Sequence, residues 1–384
     1  MFKRLTLGAL AVLLTAPTVL LAAGGSLPSR VVVNEVEQAA TAQPSTSTGY
    51  RRIYANPERL EAAIEAQERH TDALMRDAQV RGTGVGWDAN DNPVVKVYVD
   101  AQSSQTAIPE RLDGIPVQIE YTGRLYALNV SCDDRSDNCN RTPDPDIPTV
   151  AATAGNPGST EYHPRPVPIG VSAGHVDVTA GTIGCRVTAG CHTYALSNAH
   201  VFADENTGQS GDSIVQPGPF DGGVAPMDNI GTLADSVPIV IGNFANNRVD
   251  AAIALVGTNT VDKSTLPGGY GTPRTNPINA TIGLDVQKFG RTTVMTHGYV
   301  DAVNVTVLVT YDAGDARFIG QIIIKPDTGN DFSLPGDSGA LIVVDGGPHD
   351  RRPVGLLFAS GTGISVANPI SDVLNELNID IDGD

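Results

Sequence analysis

From Ile169 to the C-terminus, the chain consists of short β-branched and apolar runs separated by turns rich in Gly, Pro and Asn. Runs of this length, closed by turn residues, predict β-strands. The predicted strands cover residues 182–187, 194–196, 251–256, 303–311, 318–324, 341–344 and 354–358. One helix is predicted, at residues 370–377. Many short strands with one terminal helix indicate a mainly β domain, closed as a barrel, over residues 169–384.

The first 50 residues predict export. Lys3 and Arg4 precede an apolar run over residues 5–21, and small residues follow. This order is typical of a secretory signal peptide, which we place at residues 1–23. A signal anchor is the alternative, but the run is short and no second apolar span follows it. Residues 24–50 have no periodicity and indicate a flexible spacer. We therefore expect a secreted protein, extracellular or periplasmic, with no stable membrane anchor.

Residues 51–130 predict a small α+β module. Asn56 and Pro57 suit the N-cap and the first position of a helix, which should run to about Val80. Residues 84–87 and 94–99 flank turn residues and predict a hairpin, and residues 117–121 predict a further strand. The module is either a pro-region or a permanent accessory domain. The Pro-, Asp- and Gly-rich residues 131–168 cannot bury a core and indicate a linker.

The four cysteines lie in two close pairs, Cys132 with Cys139 and Cys185 with Cys191. An even count at short spacing in an exported chain predicts disulfides that clip local loops, although four cysteines allow three pairings. A zinc site is excluded because the spacing is wrong and no pair of histidines completes a tetrahedron.

The net charge of −18 and the pI near 4.6 exclude nucleic acid as a partner, since phosphate binding requires a basic surface. We expect polypeptide substrates instead. The oligomeric state is left open by the sequence.

The segment 334–342, which reads Leu-Pro-Gly-Asp-Ser-Gly-Ala-Leu-Ile, is the strongest chemical motif. A Ser between Gly-Asp and Gly suits a sharp turn that exposes its hydroxyl. The backbone N–H groups of Gly336 and Ser338 would then form an oxyanion hole. A surface turn is the alternative, because Gly, Asp and Ser are common turn residues.

Two further motifs complete a catalytic set. His200 follows the apolar run that ends at Ser197, and Asp250 directly precedes another apolar run. Taken singly, each could be a structural residue. The chain order His200, Asp250, Ser338 is, however, the order of one class of Ser-His-Asp hydrolases. We predict Ser338 as the nucleophile, His200 as the general base and Asp250 as the orienting carboxylate.

These motifs resemble those of the trypsin-like serine peptidases with the chymotrypsin fold, over about residues 169–384. The resemblance is to secreted bacterial members and to a subgroup related to plant narrow-leaf-type proteases. Residues 336–339 match the serine motif fully and residues 250–254 match the aspartate motif well, whereas Asn198 departs from the histidine motif. The resemblance implies a double β-barrel with a C-terminal helix, preceded here by the α+β module.

Residues 289–293, Phe-Gly-Arg-Thr-Thr, resemble a segment of α-lytic-like peptidases. In those enzymes the arginine pairs with the aspartate before the nucleophile. The resemblance therefore implies that Arg291 neutralises Asp337 and supports the oxyanion loop. No activation site of the kind found in animal trypsins is present in the sequence.

The pocket for the P1 residue, on the amino side of the cleaved bond, is expected near Phe332, Phe358, Ser360 and Gly361. Phe332 would make the pocket base apolar, although Asp331 is adjacent. Small or hydrophobic P1 residues are therefore expected.

The predicted activity is that of a serine endopeptidase that needs no metal or organic cofactor. A protease-like binding or scaffold protein is the first alternative. An esterase is less favoured because the Gly-x-Ser-x-Gly elbow is missing.

Overall fold

The computed structural model describes residues 57–100, 108–128, 158–327 and 329–384. These residues belong to one compact unit, Ser47–Asp384. The predicted signal peptide (1–23), the spacer (24–50) and most of the predicted linker, with Cys132 and Cys139, lie outside them. No helix within the described ranges is long and apolar enough to cross a membrane.

The described chain is mainly β, with three α-helices. The helices are α1 (Pro57–Leu74), α2 (Ala199–Phe202) and α3 (Ile370–Leu377), and a 3-10 turn covers Pro219–Asp221. The strands of the module are β1 (Val80–Trp87), β2 (Pro93–Val99), β3 (Arg111–Leu112), β4 (Ile115–Tyr121) and β5 (Leu125–Ala127). Next come β6 (Val167–Ile169), β7 (Ser172–His175), β8 (Gly181–Thr182), β9 (Cys185–Ala189), β10 (His192–Ser197), β11 (Ser213–Val215), β12 (Asn229–Ser236), β13 (Gly242–Asn247), β14 (Ala252–Val256) and β15 (Val261–Thr265). The last are β16 (Asp285–Gly290), β17 (Val294–Tyr311), β18 (Gly314–Pro326), β19 (Leu341–Val344), β20 (Pro353–Gly361), β21 (Ile364–Pro369) and β22 (Asp380–Ile381).

Most strands after residue 158 belong to two sheets, and β6 and β15 form a separate two-stranded sheet. The first has the order β22-β9-β10-β14-β12-β11-β7-β8. In the second, β18-β21-β20-β19-β16-β17 closes into a ring because β17 also pairs with β18. The mainly β fold with a C-terminal helix is confirmed, and α3 has the predicted bounds. Residues 158–168 belong to this part of the molecule rather than to a free linker, because β6 pairs with β15 and the Ser159 hydroxyl donates to Arg291 O at 2.8 Å.

The module extends the second sheet. Its β1 and β2 form the predicted hairpin, and β1 pairs antiparallel with β17. The helix α1 ends at Leu74, earlier than predicted, because the Asp77 carboxylate accepts the Gln79 N–H at 2.9 Å in the turn that leads into β1. The module and the ring therefore share one continuous sheet.

Two glycines of β1 allow this close approach. A Cβ on Gly82 would lie 2.9 Å from Cγ1 of Val307, and one on Gly84 would lie 2.8 Å from Cγ2 of Val305. Larger residues at these positions would push β1 away from the hairpin of β17 and β18.

Buried ion pairs reinforce the same boundary. The Lys96 ammonium lies 2.6 Å from Asp301 and 2.9 Å from Glu120, and Lys325 lies 2.8 Å from Glu120. Burial alone would raise the pKa of Glu120, but Lys96 and Lys325 lower it below its ordinary value.

The structure forms no disulfide at Cys185 or Cys191, the two predicted disulfide cysteines that it describes. Both cysteines are free; Cys185 is buried and Cys191 is exposed. Cys185 lies at the start of β9 opposite Leu196, whereas Cys191 lies in the turn that ends β9. Five residues of extended strand separate Cys185 from that turn, roughly 16 Å at the usual rise. A disulfide requires Cα atoms about 4.4–6.8 Å apart.

Candidate active site

His200 and Asp250 come together because they lie at the ends of neighbouring strands. β10 leads directly into α2, which carries His200, and Asp250 directly precedes β14. β10 and β14 are paired, with Ser197 opposite Ala252. The Nδ1 atom of His200 lies 2.5 Å from Oδ2 of Asp250, and both side chains are fully buried. This contact leaves Nε2 of His200 available for proton transfer.

Asp250 is held by several donors. Its Oδ1 accepts the Ala199 N–H at 2.7 Å and the His200 N–H at 3.2 Å, and its Oδ2 accepts the Tyr311 hydroxyl at 2.8 Å. Burial and the nearby Asp250 raise the pKa of Tyr311 well above its usual value, so the hydroxyl remains a donor. Asn198, which departs from the family motif, donates its side-chain N–H to the Asp250 carbonyl at 2.7 Å. The sequence did not point to Tyr311, and it marked Asn198 only as a departure from the histidine motif.

The turn that carries Ser338 depends on two glycines. Gly336 has φ +98° and Gly339 has φ +91°, in the region that disfavours residues with a Cβ. The Thr182 hydroxyl fixes the turn by donating to Gly336 O at 2.8 Å. A Cβ on Gly181 would contact both Val201 of α2 and the Ser338 carbonyl, so α2 and the turn both pack closely against Gly181 of β8.

Ser338 and His200 are 0% and 1% exposed. The Ser338 hydroxyl donates to Phe358 O at 3.4 Å. Nε2 of His200 is buried and has no hydrogen-bond partner among the described residues. The proton transfer expected of the pair therefore requires rotation of the serine hydroxyl away from Phe358 O.

The segment 289–293 does support Asp337, but not through Arg291. Oδ1 of Asp337 accepts the N–H of Thr292 at 2.8 Å and that of Thr293 at 3.1 Å. Oδ2 accepts the Thr293 hydroxyl at 2.7 Å and the Leu334 N–H at 3.0 Å. These bonds fix the loop before the serine.

The cation beside Asp337 is Lys288. Its Nζ lies 3.3 Å from Oδ2 of Asp337 with both side chains fully buried, and it also donates to the Thr293 hydroxyl. Burial lowers the pKa of Lys288, and the Asp337 charge opposes that effect. The sequence signal for this role is weak: Lys288 is one of few lysines in the chain, and β16 around it is only partly apolar.

The predicted pairing of Arg291 with Asp337 is wrong. Arg291 follows the end of β16 and binds Asp221 instead, at 2.7 Å from Nε and 2.5 Å from Nη2. Its guanidinium also lies 5.3 Å from the centre of the Phe220 ring. The planar guanidinium matches a carboxylate with two parallel bonds, and the turn at Asp221 presents one in that geometry.

The predicted oxyanion donor Gly336 already has an acceptor in this structure. Its N–H donates to Leu128 O at 2.8 Å, and the Leu128 N–H donates to Phe358 O at 3.1 Å. β5, just before Leu128, pairs antiparallel with β20. A segment of the module therefore lies against the Ser338 turn.

The four predicted pocket residues differ in what they contribute. Phe332 is 2% exposed and belongs to the same apolar cluster as Leu128, while Asp331 is exposed. The Phe358 ring packs on Phe318 in the core, with ring centres 4.9 Å apart, and so Phe358 offers only its carbonyl. Ser360 pairs through its backbone with Tyr126, and a Cβ on Gly361 would lie 2.5 Å from Leu125.

A second pair of the same type lies elsewhere in the first sheet. Nε2 of His175 lies 3.1 Å from Asp212, whose side chain is 40% exposed. In the described part of the chain, no group of three His, Cys, Asp or Glu side chains is placed to hold a metal ion.

Comparisons with known proteins match parts of the chain. The model of the Nal1 C-terminal domain matches residues 272–366, which include Lys288, Asp337 and Ser338. A search of curated proteins found no match.

Three solved protease structures illustrate the structural matches. Protease A of Thermobifida fusca is 19% identical, covering 57% of this chain and 99% of that one, with a TM-score of 0.41. The chymotrypsin of Cellulomonas bogoriensis is 20% identical, covering 56% and 97%, with a TM-score of 0.38. The Nocardiopsis protease is 18% identical, covering 56% and 98%, with a TM-score of 0.40. At this level the likeness assigns no role to any residue.

Proposed function

We propose that the protein is a secreted serine endopeptidase of the trypsin-like class, with His200, Asp250 and Ser338 as its catalytic residues. The observation that carries this proposal is the buried 2.5 Å contact between His200 Nδ1 and Asp250 Oδ2. A carboxylate fixed by backbone N–H groups on one side of an imidazole orients the other ring nitrogen towards a nucleophile.

The chemistry follows from these positions. His200 takes the proton of the Ser338 hydroxyl as its oxygen attacks a peptide carbonyl. The Gly336 and Ser338 N–H groups stabilise the negative charge on the carbonyl oxygen. His200 then protonates the leaving amine, and a water molecule hydrolyses the acyl-enzyme. Lys288 and the backbone of Thr292 and Thr293 hold the loop in place through Asp337.

A fluorophosphonate probe, applied to the exported protein, tests this proposal. Labelling of the wild type is expected, with loss of labelling in Ser338→Ala and in His200→Ala. His175→Ala is the matched control, because His175 is also buried against an aspartate but lies in a different site. Labelling that survives Ser338→Ala, or that His175→Ala abolishes to the same extent, would contradict the proposed roles.

A protease-like binding protein is the second candidate. It is favoured by the Ser338 hydroxyl donating to Phe358 O, and by the complete burial of Ser338 beneath the chain's own segment. A folded, exported protein that takes up no probe after its N-terminal module is removed would support this candidate over the enzyme.

A further inference from the structure

The strand β5 occupies a groove between β20 and β17. It pairs antiparallel with β20, with Tyr126 opposite Ser360 and Ala127 opposite Ala359. It also pairs parallel with β17, where Leu125 lies opposite Val309. At the near end, the Thr362 N–H donates to Thr122 O at 2.8 Å. The segment thus adds to the sheet as an extended peptide ligand would.

The far end of the segment reaches the catalytic turn. The Leu128 N–H and the Ser338 hydroxyl share one acceptor, the carbonyl oxygen of Phe358. The Leu128 carbonyl oxygen accepts the N–H of Gly336, the donor assigned to the oxyanion. A residue whose carbonyl is bound by the oxyanion donor, and whose N–H binds the same acceptor as the nucleophilic hydroxyl, is held as a substrate residue would be before attack.

The side chains of residues 125–128 differ in how deeply each is buried. Leu125 is fully buried and Ala127 is 8% exposed, whereas Tyr126 is 52% exposed and faces away from the groove. Leu128 is 2% exposed and belongs to the apolar cluster that includes Phe332 and Ala340. The structure therefore provides an apolar site for the residue whose carbonyl lies at Gly336.

We propose that residues 125–128 are the enzyme's own first substrate, cleaved on the carboxyl side of Leu128, and that the enzyme prefers leucine-like P1 residues in other polypeptides. This inference rests on the proposed function. Ser338 Oγ bonds to the Leu128 carbonyl carbon, and the C–N bond to the next residue breaks as its nitrogen takes a proton from His200. Water then releases the Leu128 carboxylate. Until the segment dissociates, it blocks the groove.

The full exported chain tests the cleavage. The wild type is expected to yield a fragment that begins at Asn129, as read by N-terminal sequencing, and Ser338→Ala is expected to remain joined there. Leu128→Lys places a cation in the apolar cluster and is expected to abolish this fragment. Tyr126→Lys is the matched control and is expected to be processed at the wild-type rate, because the Tyr126 side chain is half exposed.

Peptide substrates test the preference without depending on the folding of any variant. The exported wild-type enzyme should cleave Leu-Tyr-Ala-Leu-p-nitroanilide with a kcat/KM at least about tenfold above that of the Leu-Tyr-Ala-Ala analogue. The analogues that end in Lys and Asp should be cleaved more slowly than either.

The outcomes separate this inference from the proposed function. Three results, each together with probe labelling, would overturn the inference and leave the peptidase assignment standing. They are a chain that stays joined at Leu128, the same fragment from Ser338→Ala, and no preference for leucine in the peptide assay. No labelling and no cleavage of any peptide overturns both.

Discussion

The hydroxyl of Tyr311 should be a positioning group for catalysis, and Tyr311→Phe isolates it. The substitution removes one hydrogen bond, of 2.8 Å to Oδ2 of Asp250, and leaves the ring in place. A hydrogen bond to a charged group contributes about 1.5–3 kcal/mol. Three other donors to the same carboxylate remain, so we expect the lower end of this range. At about 1.4 kcal/mol per factor of ten, kcat should fall roughly tenfold.

The matched control is Tyr270→Phe. Tyr270 is also buried in the core, but its hydroxyl has no hydrogen-bond partner among the described residues. Its removal should leave kcat unchanged and should not lower the free energy of unfolding, since no bond is lost.

The assay is hydrolysis of a leucyl p-nitroanilide peptide by the exported wild-type and variant enzymes. Because Asp250 is buried and acts through His200, loss of the Tyr311 donor should lower kcat and leave KM nearly unchanged, whereas a purely structural defect would lower the free energy of unfolding. A Tyr311→Phe enzyme with unchanged kcat would refute the reasoning, as would equal losses in the two variants.

Three further predictions concern two buried ion pairs and the two described cysteines. Lys288→Met leaves a buried carboxylate without its cation, so the free energy of unfolding measured in urea titrations should fall by about 3–5 kcal/mol. The control Lys263→Met, which breaks a part-exposed ion pair, should lower the free energy of unfolding by about 0–1 kcal/mol. Glu120 has a lowered pKa, so its contribution to stability is present above pH 4.5 and is lost as the pH falls through its folded value. The urea midpoint of Ser338→Ala should therefore fall more steeply on acidification than that of the double variant Ser338→Ala/Glu120→Gln. Parallel plots of urea midpoint against pH for the two proteins would exclude this role of Glu120. Iodoacetamide should modify Cys191 and spare Cys185 in the native protein, because burial raises the pKa of the Cys185 thiol, and a 185–191 crosslink in peptide maps would contradict the free state.

The parts of the fold that follow from local patterns were predictable. The helix at Ile370–Leu377 and the hairpin of β1 and β2 follow from apolar periodicity and turn residues. The contact between His200 and Asp250 could also be predicted from the sequence. His200 follows one apolar run and Asp250 precedes another, and each run must be a buried strand.

The parts that depend on long-range pairing were not predictable. Leu125–Ala127 is too short to show a strand period, and it becomes a strand only because β17 and β20 supply partners from residues much later in the chain. Likewise, whether Lys288 or Arg291 lies beside the aspartate before the nucleophile depends on the direction in which each side chain projects at the end of β16. Spacing in the sequence does not contain that information. Strand register likewise separates Cys185 from Cys191, although the two residues are close in sequence.

The pairing of β1 with β17 matters for the stability of the sheet edge if the N-terminal module is removed. Removal of β1 would leave the backbone of β17 near Val303–Val307 as an open sheet edge, with unpaired N–H and C=O groups beside apolar side chains. Such edges bind other extended chains, including copies of the same protein. If the proposed cleavage releases the module, we expect the remaining domain to self-associate unless another strand takes that place.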